Sequence, residues 1–108
     1  RIDMMGVVVT AAGDDGRTDF VSRFFCPAVG IEEDPVCGSA HCTLGPYWAG
    51  KMGKSELRAY QASARGGELR VVVRGDVVTL GGRCVTTLRG ELTDAAAPSK
   101  RASGVGAP

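Results

Sequence analysis

The sequence has no long apolar run, no block of like charges and no dense set of cysteines. No apolar stretch approaches the roughly 20 residues that span a bilayer, so the sequence predicts neither a transmembrane helix nor a membrane partner. Lys and Arg are scattered among Asp and Glu, and the net charge is only +1. This pattern provides no basic face and argues against a nucleic-acid partner.

The cysteines, at positions 26, 37, 42 and 84, are too few for a disulfide scaffold and form no Cys-x-x-Cys pair. We expect reduced thiols and therefore a reducing compartment such as the cytoplasm. Cys37, His41 and Cys42 would be an incomplete ligand set without a second pair, so no metal is expected. Cys42 and Cys84 are predicted to be small buried residues.

The remaining composition, 44% hydrophobic and 23% charged, is that of one globular domain of 108 residues. This length is near the small end of what folds alone. The chain does not begin with Met, which is consistent with a processed product or a fragment. From residue 93 the composition shifts to Ala, Pro, Ser and Gly, so we divide the chain into a folded lobe (1–92) and a low-complexity tail (93–108).

Turn signals divide the folded part into β-rich segments and one helix. Residues 6–10 and 19–26 predict an antiparallel hairpin, and residues 27–35 are predicted as a loop. Four further β-rich segments are predicted and are separated by glycine-containing turns: 57–62, 68–74, 77–80 and 83–88.

A helix is predicted from residue 38 to Gly53, with Ser39 as a candidate cap and Pro46 inside it. Tyr47 and Trp48 are interpreted as core anchors, and the apolar residues occupy much of the helix circumference. The prediction is an α+β fold in which a curved, mostly antiparallel sheet of about six strands wraps one central helix that is buried on most sides.

The residues with the most chemistry lie just before this helix, in the string Glu-Asp-Pro-Val-Cys-Gly-Ser-Ala-His at 33–41. The string combines a carboxylate, a thiol, a hydroxyl and an imidazole around one glycine. At a helix start, such a segment directs backbone N–H groups and proton carriers toward one small anion.

The order of residues 23–27, 30–41, 61–63 and 65–67 resembles the C-terminal lobe of PhzF-like (phenazine biosynthesis-like) proteins. These proteins belong to the diaminopimelate epimerase and proline racemase fold group, in which the active site lies between two similar lobes. The resemblance implies an isomerase that moves a proton on a small carboxylate substrate without a cofactor. It also implies that Asp34 and Ser39 line the catalytic site.

The remaining site predictions carry alternatives. Cys37 stands where many family members have Thr, and it is either a proton-shuttling thiol, as in the epimerase and racemase relatives, or a small packing residue. Gly38 and Ala40 are predicted to bind the substrate carboxylate through their N–H groups. His41 either faces the cleft and contacts substrate or is a hydrogen-bonded structural residue. Arg65 either orients a substrate anion or is solvated.

The resemblance also places a catalytic glutamate and a further histidine in an N-terminal lobe that these residues do not resemble. The chain alone is therefore expected to be inactive, with the N-terminal lobe supplied as another chain or a missing segment. A homo-oligomer or larger assembly would also cover the cleft face. The alternative function is a noncatalytic scaffold or assembly subunit that retains the half-fold for protein binding.

Overall fold

The computed structural model describes residues 5–94. Its elements are, in chain order, β1 (Val7–Ala12), β2 (Phe20–Cys26), a short 3₁₀ helix (Pro27–Val29), β3 (Ile31–Asp34), α1 (Gly38–Met52), β4 (Glu56–Gln61), β5 (Gly67–Arg74) and β6 (Val77–Gly81). The α+β class and the first hairpin are as predicted. Within residues 5–94, no helix is both long enough and apolar enough to cross a membrane.

The strands form one mixed sheet in the order β1-β2-β4-β5-β6, with β3 also paired to β2. Among residues 5–94, four strand pairings are antiparallel and one, between β2 and β4, is parallel. Parallel neighbours require a crossover connection. The segment that contains β3 and α1 is that connection, so the start of α1 lies next to the sheet.

One side of α1 packs on the sheet. Its buried residues are His41, Leu44, Gly45 and Trp48, at the spacing that places side chains on one helical face. A Cβ at Gly45 would lie 2.7 Å from Val71 Cγ1, so glycine permits the close approach of helix and sheet at this point.

The core centres on Phe20, which is fully buried. Its ring stacks on Trp48, with the centroids 5.7 Å apart, and on His41, with the centroids 5.8 Å apart. Trp48 Nε1 donates a hydrogen bond to Thr10 Oγ1 (3.0 Å), and that hydroxyl donates to the Val21 carbonyl (2.7 Å). The polar atoms at this edge of the core are therefore satisfied.

The prediction that the helix is buried on most sides is wrong for the described part of the chain. Tyr47, predicted as a core anchor, is 51% exposed, because it lies off the helical face formed by the buried residues of α1. Cys42 and Cys84 are also exposed rather than buried. Cys42 lies on the outer side of α1, and Cys84 lies beyond the last strand.

One loop prediction and one strand prediction are also wrong, although residues 5–94 contain six strands, about as many as predicted. The predicted loop 27–35 contains β3, because Gly30 adopts a left-handed conformation (φ +86°) and turns the chain back onto β2. The predicted strand 83–88 is not a strand, since it pairs with no other strand among residues 5–94. Residues 95–108, most of the predicted tail, lie outside the described residues.

Candidate active site

The candidate site lies where β3 ends and α1 begins. Asp34 is the last residue of β3 and stands opposite Phe24 of β2. Four residues later, Gly38 starts the helix. The carboxylate and the helix N-terminus, which the sequence motif joins, are therefore also neighbours in the structure.

A buried amide from β4 holds both ends of this connection. Gln61 is fully buried, and its Oε1 accepts the backbone N–H of Cys37 at 2.7 Å. Its Nε2 donates to the Asp34 backbone carbonyl at 2.8 Å and to Asp34 Oδ2 at 3.2 Å. One side chain thus sets the distance between the Asp34 carboxylate and the first turn of α1.

The turn between β4 and β5 supports the same loop. Ser63 Oγ donates to the Pro35 carbonyl at 2.8 Å and accepts the Gly66 N–H at 2.9 Å. Arg65 lies in this turn, is exposed, and forms no ion pair within residues 5–94. Its guanidinium is therefore free to meet an anion, while the turn that carries it is anchored beside the site.

The start of α1 has no side-chain cap. Cys37 is the N-cap residue, in an extended conformation (φ −115°, ψ 112°), and no acidic residue lies in the first turn. The prediction of Ser39 as the cap is therefore wrong, because the helix already begins at Gly38 and Ser39 lies inside its first turn. Helix geometry leaves the N–H groups of residues 38–40 without intrahelical acceptors, and they are donors for an external anion.

Two side chains that carry protons meet at this helix start. Cys37 Sγ lies 3.3 Å from Ser39 Oγ; Cys37 is half-buried and Ser39 is exposed. The Cys26 thiol is buried, and burial, with a smaller contribution from the Asp34 carboxylate, raises its pKa. Cys26 is therefore a neutral thiol at neutral pH, whereas Cys37 is only half-buried and is accessible to solvent.

His41 is fully buried beneath the site. Its Nδ1 lies 2.7 Å from the Cys37 carbonyl, and Nε2 has no hydrogen-bond partner within the described part of the chain. Because a carbonyl only accepts, Nδ1 carries the proton in the neutral ring. The prediction that His41 contacts substrate does not fit this position, and the alternative of a structural histidine replaces it.

Burial lowers the pKa of His41, against a smaller opposite effect of its bond to the Cys37 carbonyl. The unfolded chain therefore binds the histidine proton first as the pH falls. We expect the free energy of unfolding to decrease from about pH 6.5 downward toward the folded-state pKa. Urea unfolding at pH 7.5 and 5.5, followed by fluorescence of the sole tryptophan, Trp48, measures this loss.

The matched variant is His41→Gln, which does not titrate and keeps an amide donor for the Cys37 carbonyl. Since the chain has one histidine, we expect this variant to remove most of the pH dependence between 5.5 and 7.5. If the free energy of unfolding of His41→Gln depends on pH as that of the wild type does, titratable groups other than His41 cause the loss.

Glu33, next to Asp34, is engaged elsewhere. Its two carboxylate oxygens accept hydrogen bonds from Arg23 Nε and Nη2, both at 2.9 Å. The hydrogen bond from Arg23 lowers the pKa of Glu33. Because a carboxylate held in this way is a poor general base, Asp34 is the better proton carrier of the pair.

Comparison with known proteins identifies the family of the chain. The model of a family described as phenazine biosynthesis-like protein matches residues 2–90. The chain belongs to the phenazine biosynthesis-like protein family. The resemblance predicted from the motif order is therefore confirmed.

Relatives and solved structures of this family match the phenazine biosynthesis-like chain over most of its length. An uncharacterized isomerase of Halalkalibacterium halodurans is 54% identical over 92 residues, covering 85% of this chain and 35% of the relative. Phenazine biosynthesis-like domain-containing protein 2 of Mus musculus is 48% identical over 93 residues, covering 82% of this chain and 32% of the relative. A PhzF-family crystal structure from Enterococcus faecalis has a TM-score of 0.71 at 51% identity, covering 75% of this chain and 31% of that chain.

The chain thus spans about a third of the length of these curated relatives. The matched part is their C-terminal portion. This agrees with the resemblance to a C-terminal lobe.

Sequence reasoning missed three contributors to the site of this phenazine biosynthesis-like chain. Gln61 and Ser63 belong to a motif that carried the family resemblance, but no role was predicted for either. Cys26 lies in a predicted strand and in another stretch that carried the resemblance, again with no predicted role. No local signal places these side chains beside Asp34, because the contacts depend on the pairing of β2 with both β3 and β4.

Proposed function

We propose that this chain is one lobe of a cofactor-independent isomerase that moves a proton on a carbon next to the carboxylate of a small substrate. The observation that carries the proposal is an uncapped helix N-terminus with the Asp34 carboxylate held beside it by Gln61. The isomerase names borne by several relatives support the reaction class.

In this proposal the N–H groups of Gly38, Ser39 and Ala40 bind the substrate carboxylate. The helix dipole contributes about 0.3–2 kcal/mol to such binding, in addition to the hydrogen bonds themselves. Asp34 moves the proton, and the exposed Ser39 hydroxyl contacts the substrate. Arg65 strengthens the attraction for the anion from the neighbouring turn.

The second proton carrier is proposed to come from another lobe. Proton transfer at both faces of a carbon needs two groups, and Glu33, the carboxylate next to Asp34 in sequence, is paired with Arg23. The chain also spans only about a third of its curated relatives. A polypeptide segment outside these residues, or a second chain, would complete the site.

An exposed apolar segment supports a partner lobe. Val85, Leu88 and Leu92 are 83%, 86% and 102% exposed, in a stretch of sequence with strand character. Large apolar side chains left exposed in one segment are typical of a surface that another polypeptide covers. We expect the strand at 83–88 to form once the second lobe is present.

The test is solvent-deuterium exchange into amino-acid and cyclic carboxylates by the full-length gene product in D₂O, followed by ¹H NMR. We expect exchange at the carbon next to the carboxylate of at least one compound, and none with residues 1–108 alone. Exchange by the 108-residue chain alone would disprove the need for a second lobe. Failure of the full-length product across the panel would favour the noncatalytic scaffold.

A further inference from the structure

We propose that Gln61 is a positioning residue for this proton transfer and that Asp34 Oδ1 is the oxygen that carries the proton. The inference rests on the proposed function and adds to it a residue and an atom. Gln61 would act through Asp34 and through the first turn of α1, without touching substrate.

The position of Gln61 makes it a rigid support. It is the last residue of β4, stands beside Ser22 of the parallel strand β2, and is fully buried. The next residue, Ala62, donates its N–H to the Ser22 carbonyl at 2.8 Å. The backbone is therefore fixed on both sides of the point where the side chain leaves the sheet.

The hydrogen bonds allow only one orientation of the Gln61 amide. The Cys37 N–H is a donor and must face Oε1, while the Asp34 carbonyl is an acceptor and must face Nε2. Rotating the amide by 180° would place donor against donor and acceptor against acceptor. The orientation follows from the partners on both sides.

This orientation distinguishes the two oxygens of Asp34. Oδ2 accepts the bond from Gln61 Nε2 at 3.2 Å, whereas no hydrogen bond within residues 5–94 engages Oδ1. The free oxygen is thus the one presented for proton transfer. Because Gln61 also holds the Cys37 N–H, it sets the distance between this oxygen and the carboxylate-binding donors of residues 38–40.

Two variants of the full-length gene product separate the two contacts of Gln61. Gln61→Glu keeps an acceptor for the Cys37 N–H but loses the donor to Asp34. We expect kcat for deuterium exchange to fall about 10–100-fold, the cost of misplacing a reacting group, with KM for the carboxylate changed less than about threefold. Gln61→Met loses both contacts, so we expect kcat to fall and KM to rise.

The control is Thr10→Val, which removes the buried hydrogen bonds of Thr10 to Trp48 and Val21 away from the site. The kcat and KM of each Gln61 variant are compared with those of Thr10→Val, and the loss of Tm is measured for every protein so that an effect of lower stability is recognised. We expect Thr10→Val to retain kcat and KM.

If wild-type protein exchanges deuterium and Gln61→Glu retains kcat, or changes kcat no more than Thr10→Val does, the positioning role is wrong and the proposed function stands. A rise in KM without a fall in kcat would also overturn the positioning role. If wild-type protein exchanges nothing, the proposed function itself fails, and the role of Gln61 in it fails with it.

Discussion

Asp34→Asn in the full-length gene product is expected to slow deuterium exchange by about 10²–10⁴-fold, the usual contribution of a general acid–base group. The asparagine keeps the size of the side chain and an oxygen that accepts the bond from Gln61 Nε2. What it loses is the ability to take and return a proton. The measurement is the initial rate of exchange at saturating carboxylate, with the circular dichroism of both proteins as a check on folding.

Two neighbouring variants decide which side chain moves the proton. Ser39→Ala is expected to reduce the exchange rate less than Asp34→Asn does, because the hydroxyl binds substrate while the helix N–H groups remain. Cys37→Ser tests the thiol hypothesis, since Cys37 Sγ lies 3.3 Å from Ser39 Oγ at the same helix start. If Cys37→Ser abolishes exchange while Asp34→Asn retains it, the thiol and not the carboxylate is the proton carrier.

The parts of the fold that could be predicted are those with a local signal. The β-branched runs of β1, β5 and β6 are separated by glycine turns, and Gly75 between β5 and β6 has the positive φ (+59°) that such a turn favours. The helix was predicted because its pattern continues to Gly53, which ends it in a left-handed conformation (φ +67°). Short-range chemistry is enough for these elements.

The two wrong strand assignments concern segments whose structure depends on a partner. β3 has the sequence Ile-Glu-Glu-Asp, which has little strand character, and it forms because Gly30 returns the chain to β2. The segment 83–88 has strand character but lacks a neighbouring strand among the described residues. Pairing, which no local pattern reveals, decided both outcomes.

In the candidate site, too, the residues that are close in sequence could be predicted, and the residue that strand pairing brings there could not. The motif at 33–41 brought Asp34, Cys37 and Ser39 together because they are close in sequence. Gln61 lies 24 residues from Cys37 and 27 from Asp34, and only the parallel pairing of β4 with β2 brings it to the site. A single sequence identifies the reactive groups, whereas the groups that orient them require the fold.

The largest expected effect on stability is that of Phe20→Ala. The Phe20 side chain is fully buried and stacks on Trp48 and His41. Its truncation leaves a cavity between sheet and helix, which we expect to cost about 3–5 kcal/mol of unfolding free energy. Urea unfolding of residues 1–108, followed by Trp48 fluorescence, measures the loss.

The matched control is Phe25→Ala, in the same strand. Phe25 is only half-buried and lies under the Arg23 guanidinium, 4.9 Å from the ring centroid. We expect it to cost clearly less than Phe20→Ala, since less apolar surface is removed from the interior. Equal losses would mean that the contact between sheet and helix is not the main source of stability. Because Phe20 also stacks on His41 beneath the helix start, Phe20→Ala removes a contact that the core and the candidate site share.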